Sequence, residues 1–199
     1  MSVATPYFDQ LFAGNDDPWA FRQRWYEQRK RALTLAMLTR PRYASIFEPG
    51  CANGELSAEL APRCERLLCC DTATAAVRLA QARLECFPHA RVEQRRLPEQ
   101  WPGGQFELIV LSELCYYLDA GDFNRLIDCA LAALTADGQI LACHWRVPID
   151  GCPQTAEQVH AVLQQRLGVA PLVQYQDPDF LLDVWSLDGT SVARHEGLR

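Results

Sequence analysis

The strongest candidates for a ligand-binding or catalytic site lie in the stretch Ser45–Gly54, where an apolar run stops at Glu48 and is followed by Gly50 and Gly54. A helical pattern begins at Glu55, directly after the second glycine. This arrangement predicts the end of a buried parallel strand, a tight turn and the start of a helix. In doubly wound α/β folds such a corner binds nucleotide-like ligands, and glycine lets the backbone approach them closely.

The acid at position 48 discriminates between the ligands that such a corner can hold. A dinucleotide places its pyrophosphate at the helix N-terminus, where Glu48 would repel it. The G-x-G-x-x-G spacing of dinucleotide sites is also absent, because no third glycine follows. S-adenosylmethionine has no phosphate and carries an ammonium and a sulfonium, which suit an acid. The stretch resembles the first motif of class I S-adenosylmethionine-dependent methyltransferases, Glu-x-Gly-x-Gly-x-Gly, with Ala52 as the middle residue. The alternative is a purely structural turn. The candidate cofactor residues here are Glu48, Gly50, Cys51, Ala52 and Gly54.

A second acid, Asp71, closes the next predicted strand, Arg66–Cys70, 17 residues after Gly54. A carboxylate about 20 residues beyond the glycine turn accepts hydrogen bonds from ribose hydroxyls in a βαβ unit. Asp71 and its neighbour Thr72 are therefore candidate cofactor residues. Either one can instead cap the helix that follows.

The third predicted strand, Arg91–Arg95, lacks an acid that many methyltransferases of the resembled class place after it to hold the adenine amino group. Arg95 and Arg96 occupy that place. We therefore expect backbone groups near Arg96 and Leu97 to hold the base.

The strongest strand pattern, Phe106–Ser112, is a continuous apolar run of the kind found in sheets covered on both faces. Ser112 and Glu113 follow at its carboxyl end, the edge where such folds place ligands. We expect Ser112 to contact the cofactor and Glu113 to act as a general base. Tyr116 and Tyr117 can line the acceptor pocket, although we expect one of the two in the core.

A further predicted strand, Gln139–Cys143, ends in His144, Trp145 and Arg146 at the same edge. His144 can take a proton near neutral pH, which makes it a second candidate base, or it can be a hydrogen-bonded wall residue. Trp145 and Arg146 are candidate acceptor contacts. His160, in the next predicted helix, faces either the same cleft or solvent.

The N-terminal part of the chain is predicted to be irregular over Pro6–Asp17 and helical over Trp19–Leu38. It is unusually aromatic and locally basic. One interpretation is a lid in which Trp25 and Arg29 contact the cofactor and Tyr26 lines the acceptor entrance. The other is a helix docked by its aromatic side chains with its arginines in solvent.

Together these elements predict an α/β fold, a doubly wound, mostly parallel seven-stranded sheet that ends in an antiparallel hairpin. The hairpin strands are expected at Leu172–Gln176 and Leu181–Leu187, and an Asp137-Gly138 turn is expected before Gln139. Residues 1–40 are predicted to form the helical lid and residues 41–199 the cofactor-binding domain of one compact unit. The remaining predicted helices are Thr74–Cys86, Asp122–Leu134 and Thr155–Leu167.

Composition limits the classes of function. A chain of 199 residues with 49% hydrophobic residues can bury a full sheet, and a net charge of −6 argues against a nucleic-acid partner. The nine cysteines are scattered without a C-x-x-C pair, which predicts small buried side chains in a reducing cytoplasm rather than a metal site. No signal peptide or membrane segment is predicted.

The whole chain resembles the nodulation protein S family, a branch of the class I methyltransferases. The matching segments are Trp25–Lys30, Glu48–Cys51, Val110–Glu113, Tyr116–Leu118, His144–Arg146 and Asp179-Phe180. This resemblance implies methylation of an amine on an amino sugar or oligosaccharide, with S-adenosylmethionine as the methyl donor. Stacking of the sugar is then expected on Trp19, Trp145 or Trp185, unless these side chains pack in the core. Two other classes stay open, a cofactor-binding protein without catalysis and, against the evidence of Glu48, a nicotinamide-dependent oxidoreductase.

Overall fold

The computed structural model describes residues 1–199 and contains one sheet with the strand order β3-β2-β1-β4-β5-β7-β6. The strands are β1 Ile46–Pro49, β2 Leu67–Asp71, β3 Ala90–Gln94, β4 Phe106–Ser112, β5 Leu134–Trp145, β6 Val173–Gln176 and β7 Phe180–Ser186. The helices are α1 Thr5–Leu11, α2 Trp25–Ala36, α3 Glu55–Leu60, α4 Thr74–Arg83, α5 Ala120–Ala133, α6 Ala156–Leu167 and α7 Val192–His195.

Strands β1 to β5 pair in parallel, whereas β7 runs antiparallel to both β5 and β6. The predicted doubly wound sheet with its antiparallel hairpin is therefore confirmed. The order reverses between β1 and β4, which leaves a crevice at their carboxyl ends. In open α/β sheets this switch point is where ligands bind.

Both faces of the sheet are covered because alternate strand residues point into two separate apolar layers. Phe47 and Ile109 pack on one face with α5 and α6, while Ile46 and Leu108 pack on the other with α3 and α4. This two-sided burial explains why β1 and β4 read as continuous apolar runs.

The N-terminal region departs from the sequence prediction. Residues Thr5–Leu11 form a helix where an irregular segment was expected, and α2 begins at Trp25 rather than Trp19. The later start of α2 has a local cause. The Asp17 carboxylate accepts hydrogen bonds from the Phe21 and Arg22 amides at 2.8 and 3.0 Å, and Ala20 has a left-handed φ of 58°. These turns cannot be part of a regular helix.

The Asp137-Gly138 turn was also predicted wrongly, because β5 starts directly after α5 and continues through both residues. Its pairing with β4 shifts register there: Phe106 pairs with Leu134, but Leu108 pairs with Gln139. The turn residues thus form an irregularity within a strand. No helix of the protein has both the length and the hydrophobicity that crossing a bilayer requires.

Candidate functional site

A cavity of about 690 Å³ lies at the carboxyl ends of β1, β2, β4 and β5. Strand-end residues Glu48, Asp71, Ser112 and Trp145 line one side of it. Helix α2 and the first residues of the chain line the other side. The topology therefore brings the predicted corner residues Glu48 and Asp71 into one space with Ser112 and Trp145.

The glycine corner is a tight turn whose backbone angles exclude most side chains. Gly50 has a φ of +74°, and its amide donates to the Cys70 carbonyl at 2.7 Å, which joins the turn to β2. Ala52 also has a positive φ, of 48°. A Cβ on Gly54 would lie 3.0 Å from the Ala80 Cα, so Gly54 permits α3 to pack on α4. Gly50, Cys51 and Ala52 line the cavity, whereas Gly54 does not.

Asp71 is fixed between two loops at the rim of β2. Its Oδ2 accepts from the Ala52 amide at 3.0 Å, and its Oδ1 accepts from the Ala73 amide at 2.9 Å. Burial raises the pKa of this carboxyl, and the backbone hydrogen bonds partly oppose the rise. Thr72, beside it, also lines the cavity and shares a 2.7 Å hydrogen bond with the Thr5 hydroxyl.

Glu48 lies at the floor of the cavity and is only 3% exposed. Its Oε2 accepts from the Ser57 hydroxyl and, at 3.5 Å, from the Cys69 thiol. Burial raises the pKa of Glu48 to about 7, although these two donors favour the ionised form. The group is thus an acid that ionises near neutrality and gains from a cation close by.

At the expected adenine end, Arg96 and Leu97 line the cavity, as does Arg95. The Arg96 amide already donates to the Gln100 side chain at 2.7 Å. The Arg95 guanidinium donates to Glu93 at 2.7 Å and to the Gln100 carbonyl at 2.9 Å. The Arg96 backbone donor that sequence analysis assigned to the base is therefore engaged within the protein.

The expected acceptor end is aromatic. Tyr26, Tyr116, Tyr117 and Trp145 all line the cavity, and the rings of Tyr26 and Trp145 meet edge to face with centroids 5.0 Å apart. Both neighbouring tyrosines are buried and belong to the main apolar layer as well as to the cavity wall. The Tyr26 hydroxyl is buried without a hydrogen-bond partner.

Glu113 follows β4 with a left-handed φ of 53° and makes several contacts. Its Oε1 accepts from the Lys30 ammonium at 2.8 Å. Its Oε2 accepts from the Tyr116 hydroxyl and from the Trp145 amide, the latter at 3.1 Å. The side chain thereby joins α2, the loop after β4 and the end of β5.

Glu27, Lys30 and Asn53 are among the cavity residues that were not predicted from the sequence. Glu27 is 7% exposed, Lys30 is 6% exposed and Asn53 is fully buried. Glu27 and Lys30 could have been recognised from the sequence, because Lys30 lies on the apolar stripe of α2 and Glu27 lies one turn before it. The Asn53 Oδ1 is buried with no partner, while its amide nitrogen donates to Asp17 at 3.0 Å.

Three predicted site residues lie outside the cavity because they face outward. Trp25 is 72% exposed and is not part of the wall. Arg29 pairs with Asp177 at 2.8 Å and also donates to Tyr175. Arg146 pairs with Glu157 at 2.9 Å. Arg29 thus joins α2 to the hairpin, and Arg146 joins the segment after β5 to α6. Neither arginine lines the cavity.

His144 and His160 are also removed from the cavity, because they form a buried relay behind it. The His144 Nε2 accepts from the Cys115 amide at 3.2 Å, and its Nδ1 lies 3.1 Å from the His160 Nε2. The His160 Nδ1 lies 2.6 Å from the Asp183 Oδ2. Since the amide only donates, the His144 proton is on Nδ1 and the His160 proton is on Nδ1 too. Burial, together with His160 and Lys30 nearby, holds the pKa of His144 well below its usual range. A neutral ring with both nitrogens engaged is not a general base.

The start of the chain closes one side of the cavity. The Val3 amide donates to the Tyr117 carbonyl at 2.8 Å, and the Ser2 hydroxyl donates to Asp122. Phe12 packs beside Ala73 and Ala76, and its ring meets Trp19 edge to face. Trp19 lines the cavity, whereas Trp185 is 1% exposed in the core and donates to Gln164 at 3.0 Å.

The sheet order, the glycine corner after β1, the acid closing β2 and the antiparallel β7 define the class I methyltransferase fold. A solved N-methyltransferase NodS from Bradyrhizobium japonicum WM9, in complex with S-adenosylhomocysteine, has this fold. It superposes with a TM-score of 0.79 at 26% identity over 92% of this chain and 97% of that one. A candidate methyltransferase from Pseudomonas syringae is 65% identical, with a TM-score of 0.74 over 82% of this chain and 99% of that one.

The family model described as nodulation protein S matches residues 10–173, and the chain belongs to this family. Nodulation protein S of Bradyrhizobium diazoefficiens is 32% identical over 63% of this chain, and that of Rhizobium tropici is 28% identical over the same share. The matched segments span 61% and 54% of the lengths of those two relatives.

Proposed function

We propose that the protein is an S-adenosylmethionine-dependent methyltransferase that acts on an amine of a small molecule, and that this molecule is an amino sugar or a short oligosaccharide. One observation carries the proposal. A single cavity joins the glycine corner and Asp71 to an aromatic and charged end formed by Tyr26, Glu113 and Trp145. The fold and family of the chain agree with this assignment.

The residues of the corner fit the proposed cofactor. Asn53 presents a buried oxygen without a partner, which suits an ammonium donor, and Glu48 gains from a positive charge nearby. Asp71 keeps lone pairs free on a carboxylate that two amides hold in place, which suits a pair of ribose hydroxyls. Gly50, Cys51, Ala52, Thr72, Leu97 and Ser112 are proposed to complete the wall around the cofactor, with the Arg96 side chain at its edge.

The bound cofactor supplies an activated methyl group, so the protein need not create an electrophile. Its own residues align the acceptor nitrogen and keep that nitrogen unprotonated. Tyr26, Tyr116, Tyr117 and Trp145 are proposed to orient the acceptor. Their rings offer apolar faces of the kind that pack on a sugar, while the charged groups of α2 offer polar contacts.

The relatives support the nitrogen acceptor and, more loosely, the sugar. The solved relative at 26% identity is described as an N-methyltransferase, and the matched family is that of nodulation protein S. The amino-sugar acceptor is inferred from the resemblance to this family, which rests in part on Trp25–Lys30, Tyr116–Leu118 and His144–Arg146. Residues 1–40 are proposed to act as the lid of this site.

Calorimetric titration with S-adenosylhomocysteine, with NADH titrated in parallel, tests the cofactor. Micromolar binding of S-adenosylhomocysteine alone is expected, and no binding would overturn the proposal. Release of S-adenosylhomocysteine from S-adenosylmethionine is then measured with glucosamine and with chitotetraose that carries a free amine on its non-reducing end. Turnover of the amines but not of their N-acetylated forms is expected. Binding without turnover of any amine would indicate a cofactor-binding protein without catalysis.

A further inference from the structure

Two carboxylates share one ammonium at the acceptor end of the cavity. The Lys30 Nζ lies 2.8 Å from the Glu113 Oε1 and 3.1 Å from the Glu27 Oε2. The side chains of Glu27 and Lys30 are 9% and 8% exposed, and that of Glu113 is 19% exposed. With all three ionised, the cluster has one net negative charge. A buried cluster of this kind favours the arrival of one further cation.

The two carboxylates differ in the hydrogen-bonding capacity that they have left. Glu113 accepts from Lys30, from the Tyr116 hydroxyl and from the Trp145 amide. An ionised carboxylate has about four acceptor positions, so Glu113 is almost saturated. Glu27 accepts only from Lys30, at 3.3 Å on Oε1 and 3.1 Å on Oε2. Glu27 therefore has lone pairs free for a ligand in the cavity that it lines.

The surroundings of Glu27 also suit a cation. The Tyr26 ring, whose centroid lies 5.2 Å from the Lys30 Nζ, shows that an ammonium is accommodated against this aromatic wall. The nearby Arg31 guanidinium is already engaged by Glu59 at 3.0 Å and by the Phe21 carbonyl at 2.8 Å. The charged groups that act on Glu27 are Lys30, Arg31 and Glu113, and the cavity wall also includes Arg24, Tyr26, Tyr116, Tyr117 and Asp179.

We propose that Glu27 is the carboxylate that receives the protonated amine of the acceptor and removes its proton before methyl transfer. This inference rests on the proposed function and names its substrate class as amines that arrive as ammonium ions. In the step, a proton moves from nitrogen to a Glu27 oxygen. The nitrogen lone pair then forms the new C–N bond as the S–CH₃ bond breaks and its electron pair stays on sulfur. Glu27 returns its proton to solvent.

The environment of Glu27 agrees with a proton acceptor. Burial raises the pKa of Glu27 above its usual range, and the adjacent Lys30 and Arg31 partly oppose this rise. A base whose pKa moves toward neutrality holds the abstracted proton better. Glu113 and Lys30 are positioning residues in this scheme, because their contacts fix α2 against the loop after β4.

The test uses Glu27→Gln in the full chain, which keeps the shape of the side chain and leaves Lys30 paired with Glu113. The matched control is Glu157→Gln, an exposed carboxylate that pairs with Arg146 outside the cavity. Calorimetry on each protein, saturated with S-adenosylhomocysteine, uses glucosamine, N-acetylglucosamine, ethanolamine and ethylene glycol as probes. We expect both amines to bind the wild type and the control. The loss of a hydrogen bond to a charged group should weaken their binding to Glu27→Gln roughly 10- to 150-fold.

Turnover of the amine that binds best is then followed between pH 6.5 and 9.5. Loss of a general base typically costs about 10² to 10⁴ in rate, and this deficit should shrink once the pH exceeds the pKa of the amine that is used. Pure structural damage would instead lower the rate equally at all pH values. Equal binding of amines and their neutral counterparts by the wild type would overturn the inference, as would a pH-independent deficit. In either case intact binding of S-adenosylhomocysteine would leave the proposed cofactor role standing, whereas its absence would remove the proposed function itself.

Discussion

Replacing Glu48 by glutamine should make the protein progressively more stable, relative to the wild type, as the pH rises. The folded protein holds the Glu48 proton up to a pKa of about 7, against 4.5 for an ordinary glutamate. Between these two values the folded state binds more protons than the unfolded state, so wild-type stability falls as pH rises. The difference of about 2.5 pKa units corresponds to about 3 kcal/mol of unfolding free energy. Glu48→Gln lacks this titration, and its advantage over the wild type should grow by that amount from pH 4.5 to 8.

Urea denaturation of both proteins at pH 4.5, 6 and 8 measures this change, and no ligand is needed. Because the prediction concerns how the stability difference varies with pH, any constant effect of the glutamine side chain cancels. Glu85→Gln, at an exposed position, gives the background for the same substitution. A pH-independent difference between Glu48→Gln and the wild type would refute the assignment of a protonated buried acid. The same variant should bind S-adenosylhomocysteine more weakly at pH 8, since a neutral amide no longer attracts the ammonium of the ligand.

Three further predictions, one of them with a matched control variant, give measurable outcomes. Asp71→Asn should weaken S-adenosylhomocysteine binding about 10- to 150-fold in calorimetry through the loss of a charged acceptor, and an unchanged Kd would remove Asp71 from the site. Lys30→Met leaves two carboxylates without their counter-charge, which costs about 3–5 kcal/mol, or about 6–20 °C in Tm for a domain of this size. Arg166→Met, at the exposed pair with Asp128, should cost under about 1 kcal/mol in the same thermal assay, and equal losses would contradict the argument. Trp145→Ala should raise the KM for the amine acceptor and leave S-adenosylhomocysteine affinity unchanged, whereas an unaltered KM would exclude Trp145 from acceptor binding.

The sheet and the glycine corner of the cavity were largely predictable, because local patterns determine them. Apolar runs such as Phe106–Ser112 mark strands covered on both faces. The spacing from Gly50 to Asp71 follows from the length of one helix between two neighbouring strands. These features depend on residues close together in the sequence, and the structure brings Gly50 and Asp71 to the cavity as expected.

The side of the cavity formed by α2 and Glu113 was harder to predict, because its residues meet only through long-range packing. Lys30 and Glu113 are 83 residues apart, and the partner of each depends on where α2 begins. Trp25 and Arg29 were assigned to the cleft, but the face of α2 that lines the cavity is that of Tyr26, Glu27 and Lys30. For His144 the sequence left two interpretations open, a base or a hydrogen-bonded residue, because it shows a titratable ring but not that both of its nitrogens are engaged.

The histidine relay gives the protein a built-in reporter. One end is chemically fixed, since the Cys115 amide can only donate, and the hydrogen bonds from there through His160 to Asp183 allow each ring one tautomer. If ligand binding draws the Cys115 amide away, that constraint is lost at His144 and, through it, at His160. The nitrogen-15 chemical shifts of His160, on α6, would then report a movement of the cavity wall, although His160 itself does not line the cavity. In that case the state of the pocket can be observed without labelling cofactor or acceptor.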